Sequence, residues 1–318
     1  MKIDCIITTF NDENVISKCL KSIPKKILDL HIRVIISDDC SNDNTVNIAK
    51  NILKDREHKI LTCEENTGVG KNRMRALREA SNEYIFFLDS DDYIQKNNLI
   101  KDEVIPYLES DMIFFSKLVP YRNSQLNFEK EMFELSTQKN KKVDMDLLYG
   151  LILKYRLRMG ECWGVIFKKS VINKYSINFI NASVGEDVIF LLEYLLRSKS
   201  WSFYPTIVLN KTYDLGISSN IGNSAMESYL RILYKSLSLL ENVEKEQISK
   251  IKIELYKFYI DSFIRSLSIH TFFYEYLKNN KIKKFRLSLI DNKTLKKNYL
   301  DKENNRKINS STHELFSF

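Results

Sequence analysis

The chain has 318 residues, 44% hydrophobic and 28% charged, with Lys and Arg exceeding Asp and Glu by 49 to 41 for a formal net charge of +8. This ordinary soluble composition can bury a full core as one large domain or two smaller ones. The cysteines Cys5, Cys19, Cys40, Cys63 and Cys162 are odd in number and lack C-x-x-C spacing, which supports neither a disulfide framework nor a zinc site and points to reduced thiols in the cytoplasm.

The opening run Lys2-Ile3-Asp4-Cys5-Ile6-Ile7-Thr8-Thr9 reads as a strand. Its apolar stretch is too short for a signal peptide and lacks the flanks, so export is not expected. No uncharged apolar stretch approaches the roughly 20 residues that span a bilayer. Further strands are predicted at Arg33 to Ser37, Lys59 to Cys63, Tyr84 to Leu88 and Met112 to Phe115, with helices near Glu13 to Ser22, Asn44 to Leu53, Gly70 to Ala80 and Asn97 to Leu108. That alternation marks βαβ units and a largely parallel sheet. The polar stretch Tyr121 to Lys142 reads as loop or hairpin, followed by a helix near Asp144 to Tyr155 and a strand near Val165 to Lys168. Glu186-Asp187 then opens a strongly apolar helix, where the helix dipole also favours acids. From Ser224 to Leu277 apolar residues recur at helical spacing, as in a helical appendage or a dimerisation surface.

Ligands of open, mostly parallel sheets bind outside the carboxyl ends of the strands, so the polar residues there carry the chemistry. Asp89-Ser90-Asp91-Asp92 follows an apolar run, and closely spaced carboxylates suit Mg²⁺ or Mn²⁺. One of these acids also fits a helix-capping turn. Asp38-Asp39 closes the second strand, where a carboxylate can accept the imide N–H of a uracil or thymine; as an isolated strand-and-turn feature it is common. Asn66 to Arg73 puts Gly68 and Gly70 with Lys71 and Arg73 between a strand and a helix, as a diphosphate cradle or as a plain capped turn. It lacks the third glycine of a dinucleotide fingerprint and the ending of a P-loop. Glu186-Asp187 offers a general base, and Trp163 is either a platform for a sugar ring or a core residue. The four histidines have no triad spacing and no G-x-S-x-G elbow is present, which disfavours a serine hydrolase.

In this order the motifs resemble those of the GT-A glycosyltransferases of family 2, which include bacterial capsule, O-antigen and teichoic acid transferases. The opening strand with Thr8-Thr9-Phe10-Asn11 is similar to the family's T-x-N, and Ser37 to Thr45 resembles V-D-D-G-S-x-D-x-T. Asn66 to Arg73 resembles N-x-G-x-x-x-A-R, Leu88 to Asp92 matches L-D-x-D-D, and Trp163 to Ser170 with Glu186-Asp187 resembles W-G-x-x-F/Y-x-x-S and the later E-D. The chain departs from the pattern at Cys40, where the family has glycine, and at Asn72, where it has alanine. No histidine lies between His58 and His270 to complete a metal shell.

The resemblance covers about 1–219 and implies an α/β GT-A fold with a mostly parallel, Rossmann-like sheet. The expected organisation is a nucleotide-sugar half over 1–116, an acceptor half over 117–219, and a helical C-terminal region over 220–318 with a basic tail. It implies an inverting transfer from a nucleoside-diphosphate sugar, a UDP-sugar, to a hydroxyl of a glycan or lipid-linked acceptor, with Mn²⁺ or Mg²⁺. Donor contacts would come from Thr9, Asn11, Asn66, Gly68 and Ser90, with Asp39 on the base, Arg73 near the diphosphate, and Asp89 and Asp91 facing ribose and metal. Asp92 is an alternate metal ligand, Asp187 the base, and Glu186 and Trp163 hold the acceptor. Competing readings are a sugar nucleotidyltransferase, which Thr8 to Asp12 disfavours by having no glycine, and a non-catalytic nucleotide-sugar-binding protein. Between Lys278 and Lys307 basic residues dominate, either as a solvated face or as an attraction to anionic lipid at the inner membrane face; no nucleic-acid motif accompanies them.

Overall fold

Strand β1 (Lys2–Thr9) is buried on both of its faces from Ile3 to Ile7, the pattern of a central strand covered by helices on each side. In a computed structural model the described residues are 1–96, 107–118, 162–182 and 185–210, with isolated positions between 130 and 151 and between 228 and 239. The chain divides into two compact units, Met1–Tyr259 and Ile260–Phe318, and the second lies outside the described residues. The expected boundary at 219/220 and most of the helix expected over Asn97 to Leu108, of the loop expected over Tyr121 to Lys142 and of the helical repeat over 224–277 also fall outside them, while 130–132 and 134–135, described within that loop, are helical.

After β1 come α1 (Ile16–Ser22), β2 (Lys26–Ile27), β3 (Leu30–Asp38), α2 (Thr45–Leu53), β4 (His58–Leu61), α3 (Val69–Glu79), β5 (Tyr84–Phe87) and β6 (Tyr93–Lys96). There follow β7 (Met112–Leu118), β8 (Val143–Asp144), β9 (Val165–Lys168), α4 (Lys169–Tyr175), α5 (Glu186–Arg197) and β10 (Ser200–Asn210). Among the described residues the strands form one sheet in the order β2-β3-β1-β5-β9-β7-β10-β6, with β4 beside β3 and β8 beside β10. The half containing β4, β3, β1 and β5 is parallel, as the βαβ alternation requires. The register pairs Thr9 with Asp38 and Ile6 with Phe87, so the chain leaves all three strands at one edge of the sheet.

The other half is mixed. β9 runs antiparallel to both β5 and β7, and β10 runs parallel to β7 but antiparallel to β6. The alternation does not announce β10, because Pro205 interrupts its apolar run and a proline usually demotes a strand. The sheet accommodates it with a register shift between Tyr204 and Val208, where the strand bulges. The short β6 likewise occupies a stretch whose acidic start reads as a turn before a helix.

Asp4 is the one fully buried acid of β1, and its carboxylate ties distant pieces of the parallel half together. It accepts hydrogen bonds from the Ser81 and Asn82 amides at 2.8 Å each, from Asn82 Nδ2 at 2.8 Å and from Arg33 Nε at 2.6 Å. Arg33 also donates to the Glu79 carbonyl at the end of α3. Removing a buried carboxylate with this many donors strands a cation and two amides. Asp4→Ala is expected to destabilise the chain by about 3–5 kcal/mol, read as a lower urea midpoint; an unchanged midpoint would contradict this account.

Candidate active site

The turn after β3 is built from its own acids. Asp38 accepts from the Ser41 amide at 2.9 Å and from the Ser41 hydroxyl at 2.5 Å, which closes the turn. Cys40 sits in it at φ 70°, the left-handed region that explains the family's glycine. Asp39 turns the other way. Its carboxylate accepts from the Thr67 amide at 3.0 Å, the Thr67 hydroxyl at 2.9 Å and the Gly68 amide at 2.8 Å, while its own amide donates to the Thr9 carbonyl at 2.9 Å. Asp39 therefore holds the loop leading into α3. Asn66 Oδ1 receives the Gly68 amide as well, and Gly68 stands at φ 88°, a conformation only glycine adopts without strain.

Asn11 locks the β1 loop onto the β3 loop, since its amide donates to Ser41 Oγ at 2.8 Å and its Oδ1 accepts the Asn42 amide at 2.9 Å. Asp12 is the site residue that the motif analysis passes over. Its Oδ2 accepts from the Thr9 hydroxyl at 2.7 Å and the Ser90 hydroxyl at 2.6 Å, joining the ends of β1 and β5. Its sequence signal, an acid just before a helix, is indistinguishable from a cap, and its carbonyl does accept from the first amides at α1. Arg75 is a second overlooked residue. It donates to Ser37 Oγ, the Asp38 carbonyl and Asn72 Oδ1, while Asn72 Nδ2 donates to the Ser37 carbonyl, giving the Asn72 departure a structural role at the end of β3.

The acids after β5 meet. Asp89, Asp91 and Asp92 can each offer a ligand atom with all of these atoms within 4.8 Å of one another, and the Asp92 amide closes the turn onto the Asp89 carbonyl at 3.1 Å. An all-carboxylate donor set of this size fits Mg²⁺ or Mn²⁺ rather than a softer metal.

Arg73 links this turn to α5. Its guanidinium forms an ion pair with Asp89 at 2.7 Å through Nη2 and another with Glu186 through Nη1. The Arg73 side chain is 8% exposed and that of Glu186 is 5% exposed. Burial works against the Arg73 charge, but Glu186 and then Asp89 among its neighbours raise its pKa and keep it cationic. Burial pushes the Glu186 carboxyl up, with Arg73 pulling it down. The Cys162 thiol is held neutral in the same neighbourhood, raised by burial. Close approach of α3 requires Gly70, where an added Cβ would lie 2.3 Å from the Ile180 carbonyl oxygen and 3.4 Å from Glu186 Cβ.

The family model described as glycosyl transferase family 2 matches residues 4–159. The chain belongs to glycosyl transferase family 2. Similar relatives in Staphylococcus aureus are two poly(ribitol-phosphate) beta-N-acetylglucosaminyltransferases. TarP of strain N315 is 29% identical over 77% of this chain and 75% of its own length. TarS of strain Mu50 is 38% identical over 31% of this chain, a match spanning only 18% of that relative. The crystal structure of S. aureus TarS 1-349 in complex with UDP-GlcNAc superposes with a TM-score of 0.57 at 24% identity, covering 81% of this chain and 71% of that one, which establishes the GT-A fold. The Pyrobaculum calidifontis mannosyltransferase PcManGT, in complex with GDP-Man and Mn²⁺, superposes with a TM-score of 0.50 at 13% identity, covering 84% and 73%.

One aromatic of this family 2 chain lies differently from the motif expectation. Trp163 is 1% exposed, bridges to Phe87 and joins the core, so it has no open ring face for a sugar. Phe10, by contrast, is 39% exposed at the end of β1, beside the Thr9 carbonyl that receives the Asp39 amide. An exposed large aromatic stands out only once burial is known. Asp39→Asn leaves a single acceptor oxygen for three donors and is expected to lower stability by about 1–3 kcal/mol. A urea titration checks it, and an unchanged midpoint would show that the loop does not depend on this carboxylate.

Proposed function

We propose that the chain is an inverting glycosyltransferase that moves a sugar from a UDP-sugar to a hydroxyl of a surface-polysaccharide or lipid-linked acceptor. The observation that carries the reading is the joining of Asp89, Asp91 and Asp92 to the Glu186-Asp187 pair through Arg73. Support comes from the TarS complex with UDP-GlcNAc and from the poly(ribitol-phosphate) acceptor in the names of TarS and TarP. The PcManGT complex, which holds Mn²⁺, supports a divalent cation.

Asp39 is proposed to read the base, with Thr9, Asn11, Asn66, Gly68 and Ser90 shaping the donor pocket and the exposed Phe10 ring stacking on the base. Asp89, Asp91 and Asp92 would hold Mn²⁺ or Mg²⁺, which when bound neutralises charge developing on the departing diphosphate. Asp187 takes the proton of the acceptor hydroxyl as its oxygen attacks the anomeric carbon from the face opposite the nucleotide. The anomeric configuration therefore inverts. A positioned base contributes about 10²–10⁴-fold in rate. Glu186 orients the acceptor side of the site.

Among the described residues no helix is long and apolar enough to cross a membrane. We place the enzyme in the cytoplasm, where the basic run between Lys278 and Lys307 attracts anionic lipid at about 1 kcal/mol per basic residue. Sedimentation with anionic vesicles at low salt is expected to fall when 278–318 is removed, and undiminished binding would reject the attraction.

A screen of UDP-, GDP-, dTDP- and CMP-sugars with Mn²⁺ is expected to select a UDP-sugar, and chelation by EDTA is expected to abolish transfer. Asp187→Asn should keep UDP affinity while losing about 10²–10⁴-fold in turnover. Unaltered turnover in that variant would remove Asp187 as the base.

A further inference from the structure

We infer that Arg73 is a positioning residue that fixes the acceptor-side pair Glu186-Asp187 against the donor-side Asp89, rather than a ligand of the diphosphate. The inference rests on the reading just given and replaces the role that the motif resemblance implies for this arginine. Three elements meet at its guanidinium: α3, which carries it; the turn after β5, which supplies Asp89; and the first residue of α5, Glu186. A planar fork can grip two carboxylates in fixed directions at once, which an ammonium cannot.

The surroundings hold that arrangement. The guanidinium lies 5.9 Å from the centre of the Phe179 ring, and Phe179 stacks on Phe190 of α5 at 4.4 Å with an interplanar angle of 4°. The absence of a side chain at Gly70 brings α3 within reach of the segment that leads into α5. To contact a diphosphate, Arg73 would have to leave two carboxylates that have side-chain exposures of only 24% and 5%. Such acids are costly to leave unpaired. Since Asp187 follows Glu186 in the same first helical turn, a grip on Glu186 sets where the base begins.

The test compares Arg73→Lys, Arg73→Met, Glu186→Gln and the double variant Arg73→Met/Glu186→Gln with the full chain. Calorimetry with Mn²⁺ reads the affinities for UDP and for uridine, steady-state transfer reads kcat and donor KM, and urea unfolding reads stability. For Arg73→Lys, UDP and uridine affinities are expected to stay within about threefold of wild type while kcat falls by about 10²-fold at unchanged KM. In urea the double variant should lose less than the sum of the two single losses, since removing both partners leaves no orphaned charge.

A tenfold or greater loss of UDP affinity in Arg73→Lys with uridine binding intact would make Arg73 a diphosphate ligand and overturn the inference. Wild-type turnover in Arg73→Lys, or strictly additive losses in urea, would overturn it as well. A wild-type chain that bound no UDP would count against the transferase reading instead, and the unfolding cycle would still decide the grip.

Discussion

Parallel pairing of β1 with β3 and with β5 brings Thr9, Asp38 and the Asp89 turn to one edge, and every other feature of the site depends on how that edge tolerates so many acids. Each acid is compensated by a different means. Asp38 and Asp39 take backbone amides and hydroxyls, Asp12 takes two hydroxyls and an amide, and Asp89 and Glu186 share Arg73. Crowding acids at one edge costs free energy unless donors or cations satisfy their oxygens, and these partners supply that compensation. The remaining cluster of Asp89, Asp91 and Asp92 is then a small, hard-oxygen site of the kind a divalent cation takes.

The position of α5 is a packing result. Phe87 of β5 meets Phe167, Phe179 and Phe190 edge-on at 5.9, 5.2 and 5.5 Å, and Phe167 meets Tyr194 at 4.8 Å. Edge-to-face aromatic pairs of this kind add about 0.5–1.5 kcal/mol each beyond burial and fix direction as well as distance. The buried Tyr194 hydroxyl then receives the Lys168 amide and donates to the Asp111 carbonyl, pinning the far end of the helix to β9 and the start of β7. A helix held along its length in this way presents its first turn, Glu186 and Asp187, at a fixed place. Charge pairing with Arg73 and aromatic packing therefore act on the same helix from its two ends.

The parallel half of the sheet was legible in the sequence because strands buried on both faces leave continuous apolar runs, and the acids that follow those runs fall on one edge by topology alone. The metal-type cluster was legible for the same reason. β10 was hidden by Pro205, and Trp163 was ambiguous because a motif tryptophan has the same letter whether its ring is covered or open. Asp12 and Arg75 were invisible since their partners lie on other elements, across gaps such as the 78 residues from Asp12 to Ser90.

By itself, the order of residues determined the α/β class, the family resemblance and which acids stand at strand ends, since these follow from local apolar runs and short spacings. Only the tertiary structure decided what those acids bind. Arg73 meets Glu186 across 113 residues, a contact set by sheet order and helix packing and not by any local pattern.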